Sequence, residues 1–92
     1  MQTAFDESQT SEAIPLPQAD STGDELMKMG LLYSTGQGGA PLDLVSAHML
    51  FNLAAMRGSE EAKRYRREIS AEMDRDTVAE AQRQARQWLA QA

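Results

Sequence analysis

The sequence predicts an all-α domain of four helices, and three observations carry that prediction. Apolar residues recur at three- and four-residue spacing along most of the chain, which puts them on one face of a helix. Glycines or capping Asp and Ser residues punctuate the pattern at Gly36, Asp43, Gly58, Ser59 and Asp74. No stretch shows sustained period-two alternation bounded by hairpin turns.

The chain is led by a polar segment. Residues 1–25 contain six acids (Asp6, Glu7, Glu12, Asp20, Asp24, Glu25) and no Lys or Arg, so most of the net charge of −5 sits here. From Met1 to residue 22 the only apolar interruptions of note are Phe5 and Ile14-Pro15-Leu16-Pro17, too little to offset the entropy of ordering. A disordered acidic tail over 1–22 is expected, followed by one helical domain over 23–92. Asp20, Ser21 and Thr22 then offer N-cap oxygens, and Asp24 and Glu25 suit the positive end of a helix dipole.

The first helix is expected from Gly23 to Thr35, burying Leu26, Met29, Gly30 and Tyr33, with Gly36 as a left-handed C-cap. Gly30 costs such a helix about 1 kcal/mol against alanine, so a close neighbour is expected there, with Ala47, Ala54 and Ala55 as candidates. The loop 36–42 has three glycines but lacks the lysine and hydroxyl of a phosphate-binding loop, and no strand precedes it, so it reads as an interhelical turn. The second helix, Leu44 to Arg57 with Asp43 as N-cap, is apolar around much of its circumference and needs neighbours on at least two sides, and Met29, Met49 and Met56 are expected to fill the core. The third, capped by Ser59, carries the stripe Ala62, Tyr65, Ile69, Met73. The fourth, capped by Asp74, carries Val78, Ala81, Ala85, Trp88 and Leu89, and Trp88 is expected to cover the third helix.

Met29-Gly30, Tyr33, Gly36, Gly38, Asp43, Ala47, Leu50, Ala54-Ala55, Gly58 and Ala62 fall at a spacing that resembles the Sel-one-like repeat, a relative of the tetratricopeptide repeat, over residues 24–62. One extra residue lies between Gly38 and Asp43, Leu50 stands where the family favours tryptophan, and Arg66-Arg67 replace the Leu-Gly pair of a second repeat. The resemblance implies an αα-hairpin solenoid fragment, one full repeat and a degenerate half, in a family of scaffolds and adaptors. Single units of this kind need neighbours for stability. The third and fourth helices would cap the stack, or a second copy of the chain would complete it as a homodimer.

Composition narrows the chemistry. Zero cysteines exclude a disulfide framework, thiolate metal sites and a cysteine nucleophile. The first residues lack the features of a secretory signal, and no apolar run is long enough to span a bilayer, so a cytoplasmic location without membrane contact is expected. The single histidine, His48, has no second imidazole with which to share a metal, and Glu60, Glu61, Glu68 and Glu72 are accounted for by helix-surface charge pairing such as Glu60 with Arg64. No cofactor, metal or catalytic set is expected. The functional expectation is a non-catalytic module that binds a protein or peptide partner in a groove between the first and third helices, through Met27, Leu31, Ser34, Arg64 and Arg67. The run Lys63-Arg64-Tyr65-Arg66-Arg67 supports a second reading, a nucleic-acid-associated regulator, against which the net charge argues. The acidic tail could fold back on the same run.

Overall fold

In the computed structural model the described residues are 16–40 and 42–91, and they form four helices: α1 (Gly23–Thr35), α2 (Leu44–Met56), α3 (Glu60–Ser70) and α4 (Arg75–Gln91). Local chemistry sets each boundary. Thr22 and Glu25 open α1 with a reciprocal capping box: the Glu25 amide donates to Thr22 Oγ1 at 3.1 Å and the Thr22 amide donates to Glu25 Oε1 at 2.8 Å. Gly36, at φ 72°, closes it, its amide donating to the Leu32 carbonyl at 2.8 Å. Asp43 caps α2 by accepting from the Ser46 amide at 3.1 Å, Ser59 caps α3 through the Ala62 amide at 3.2 Å, and Asp74 accepts from the Thr77 amide at 2.8 Å at the head of α4. Hydrogen bonds from the Thr77 hydroxyl and amide hold the Asp74 carboxyl below its ordinary pKa.

The second helix is the axis of the molecule, and each of the other three packs against it. Its start and end establish the directions. Gly23, at the head of α1, abuts the Ala54 and Arg57 carbonyls at the tail of α2, so α1 is antiparallel to α2. The pairs Asn52–Arg66 and His48–Ser70 step backward along α2 as α3 advances, so α3 is antiparallel as well. The fourth helix leaves the α3 end near His48 and brings Trp88 to Arg57, and therefore runs with α2. The first and third helices touch each other only lightly, and α2 is the element that joins α1, α3 and α4.

One apolar cluster joins them, from Leu26 and Met27 through Ala47, Leu50, Phe51, Leu53 and Ala54 to Ala62, Ile69 and Ala85. Three expectations change here. The neighbour that Gly30 admits is the Phe51 ring: a Cβ on Gly30 would lie 2.6 Å from Phe51 Cε1, so an aromatic edge, not an alanine methyl, fills the space. The main support of α4 is α2 and not α3, and Trp88 packs on the common core with Arg57 over its ring. Met56, expected to fill the core, is 61% exposed.

Of the expected tail, residues 1–15 lie outside the described residues. Leu16 to Thr22 do not behave as a free tail, since a turn closes from the Ser21 amide to the Gln18 carbonyl at 3.0 Å and Ser21 is buried. Arg57 holds that turn, donating to the Ala19 carbonyl at 2.8 Å and the Ser21 carbonyl at 2.7 Å. Among the described residues no helix is long and apolar enough to cross a membrane.

Candidate functional site

Three places on the surface combine exposure with chemistry. The first is the outer face of α1 and α3, where the sequence-predicted contact residues fall. Leu31 is half-buried against the core, and Ser34 is half-buried with its hydroxyl donating to the Leu31 carbonyl at 3.1 Å. Arg64 and Arg67 are exposed on α3. Met27 is different: at 7% exposure it belongs to the core, because the buried face of α1 centres on Gly23, Leu26, Met27 and Gly30. A surface role for Met27 is therefore withdrawn by the fold. Residues that sequence reasoning left out stand close by: Tyr65 stacks on Phe51 with ring centroids 5.5 Å apart, and the Arg64 guanidinium lies 4.8 Å above the Tyr65 ring.

The basic run on α3 is partly occupied. Lys63 pairs with Glu60 at 3.2 Å and Arg64 with Glu68 at 3.6 Å, in place of the expected Glu60–Arg64 pair, because Arg64 leans over Tyr65. Arg66 turns inward and donates to Asn52 Oδ1 at 2.6 Å. Such exposed pairs contribute little to stability, and they dilute the positive field that nucleic acid would read.

The second place is a shallow cleft of about 220 Å³ lined by Pro17, Gln18, Ala19, Trp88 and Gln91, where the two ends of the described chain meet. The third, about 360 Å³, lies where the heads of α1 and α3 converge around Arg57, and Asp24, Glu60 and Glu61 line it. Three carboxylates beside those amide-bearing ends leave no net attraction for an anion. Arg57 lines the third place and also holds Ala19 and Trp88, two residues of the second; in the sequence it reads only as the last residue before Gly58. Nothing in local periodicity marks a side chain that reaches 38 positions back to Ala19.

A titratable side chain is sealed inside. His48 is 2% exposed, with Nε2 2.9 Å from Ser70 Oγ. Ser70 Oγ donates its single hydrogen to the Arg66 carbonyl at 2.7 Å, so toward His48 it can only accept. The imidazole therefore carries its proton on Nε2, and Nδ1 is a buried lone pair with no hydrogen-bond partner. Burial, then the nearby Arg66 charge, push the imidazole below its ordinary 6.5, partly offset by its own main chain. Among the described residues no group of three or more His, Asp or Glu side chains is placed to hold a metal ion. No protein-family model, curated protein or solved structure matches this chain.

Proposed function

We propose that this chain is a non-catalytic interaction module that receives a protein or peptide partner on the face shared by α1 and α3. The observation that carries the reading is the half-exposed Tyr65 with Arg64 above it, beside a second arginine, Arg67. Tyrosine and arginine are the residue types that concentrate binding energy at interfaces, and Tyr65 is braced from below by Phe51, so little ordering is left to do on binding. Leu31 and Ser34 extend the face onto α1.

The antiparallel α1–α2 hairpin with α3 antiparallel on another flank of α2 supports a Sel-one-like, tetratricopeptide-like origin in which α1 and α3 line the groove. The packing of α4 on α2 in place of α3 is where the chain departs from a stack of regular hairpins. Because α4 covers a flank of α2, this reading does not require a second copy of the chain. An acidic or acid-flanked partner segment fits the two arginines.

The test is capture of partners from native extract by the unmodified protein beside an Arg64→Ala, Arg67→Ala double variant. Both positions are exposed, so the fold should survive the change. A partner retained by the first and lost by the second supports the reading; identical capture by both overturns the site. Recovery of nucleic acid in place of protein, released by modest salt, would favour the regulator reading.

A further inference from the structure

Among the described residues, the seam between α2 and α3 contains the one buried titratable group with an unsatisfied atom, and its geometry favours a single protonation state. Nε2–H of His48 is satisfied by Ser70, whose own hydrogen is committed to the Arg66 carbonyl. A second proton must go to Nδ1, which is sealed from water, makes no hydrogen bond in the folded chain and has only the residue's own main chain to offset the charge in part. We propose that the His48–Ser70 contact is an acid-sensitive latch: a single proton on Nδ1 loosens the C-terminal half of α3 from α2 while the α1–α2 hairpin stays closed. This inference does not depend on the interaction reading.

The surroundings decide the sign. From α3, the Arg66 guanidinium faces the imidazole and opposes a second positive charge, while on α2 the main chain of His48 itself favours one. Among the described residues no carboxylate comes within salt-bridge distance of the ring, so no opposite charge neutralises the new cation. Burial and Arg66 prevail, and the folded imidazole holds its proton less tightly than a free one. The unfolded chain then binds more protons than the folded one once pH falls below the free value. The latch is thus at full strength above about pH 6.5 and is lost as pH falls from there through the lower folded value.

The break should stay local because the two flanks of α2 are built differently. Beyond His48, α3 is held by Asn52–Arg66 and by the Phe51–Tyr65 stack, both toward its N-terminal and middle turns. The last turn has only Ser70 and Ile69. Local opening of a terminal turn needs far less free energy than global unfolding.

His48 is the only histidine, so its ring resonances can be followed without assignment by mutation. The experiment titrates the imidazole by NMR in the full chain and measures amide exchange across α1, α2 and α3 over the same pH range, corrected for the chemical exchange rate. The expected result is a ring midpoint below about 6.5. The amides of the last α3 turns should lose protection by up to tenfold per pH unit across the titration, as one proton allows, while those in the middle of α1 do not. A ring that titrates at or above the free value, or α3 protection that is flat across the ring's midpoint, overturns the proposal. His48→Gln keeps an N–H for Ser70 and has no proton to gain; if it folds, the α3 pH dependence should vanish, and its persistence overturns the latch.

Discussion

The two seams that α1 and α3 make with α2 bury comparable helices by opposite means. On the α1 side the backbones come close. Gly30 gives its missing Cβ to the Phe51 ring, and a Cβ on Gly23 would lie 2.8 Å from the Arg57 carbonyl oxygen. Ala47 and Ala54 are fully buried, and the loop is tied back by the Asp43 amide donating to the Tyr33 carbonyl at 3.0 Å. On the α3 side the contact is made by side chains of some length, with one aromatic stack and two polar bonds, His48–Ser70 and Asn52–Arg66. The first seam is intolerant of added volume, and the second is sensitive to charge. A helix apolar around most of its circumference can therefore place a rigid hinge on one flank and an adjustable contact on the other.

Phe51 is where the seams meet, so its removal should blur the contrast most. Phe51→Ala is expected to cost about 3–5 kcal/mol, because the cavity opens toward both Gly30 and Tyr65, and urea unfolding will measure it. Gly30→Ala tests the first seam alone. Overpacking against the ring costs about 1–3 kcal/mol, and the better helix propensity returns about 1 kcal/mol, so a net loss is expected. Adding Phe51→Leu to Gly30→Ala should lower stability by less than the sum of the single changes; strict additivity would show that the ring is not the obstacle. Asn52→Ala probes the second seam and should cost no more than about 1 kcal/mol, since the freed Arg66 is half-exposed and water replaces its partner. The smallest effect belongs outside both seams. Lys28→Ala, which breaks the exposed 3.1 Å pair with Asp24, is expected to stay within about 0.5 kcal/mol.

How much of this was readable beforehand follows the range of each interaction. Helix boundaries were legible at Gly36, Asp43, Ser59 and Asp74, because caps are made within three or four residues of the groups they satisfy. The need for a neighbour at Gly30 was legible too, but its identity was not: the sequence shows that a helix interior lacks a side chain, not whether an alanine or a ring takes the space. An amphipathic stripe likewise states that a face is covered without naming the cover, and so Trp88 was assigned to the third helix although Arg57 and the common core receive it. The spacing of Met29, Gly30 and Tyr33 draws the buried face of α1 away from Met27 and so points that residue to the surface. Two neighbours, α2 and α3, widen that face and turn its centre toward Leu26 and Met27. Arg57 and the His48–Ser70 contact depend on residues 22 to 38 positions apart, a separation that no local pattern encodes.

The grip of Arg57 on the Ala19 and Ser21 carbonyls, with Trp88 under the same guanidinium, has a topological consequence. Pro17 and Gln91 line one cleft, so the path from the last turn of α4 to the segment ahead of α1 does not cross the molecule. A short glycine-rich bridge could join them, with new ends opened in the loop after Gly36. Such a circular permutant should fold with the same tryptophan emission, and the order of the helices along the chain would then be separable from their order in space.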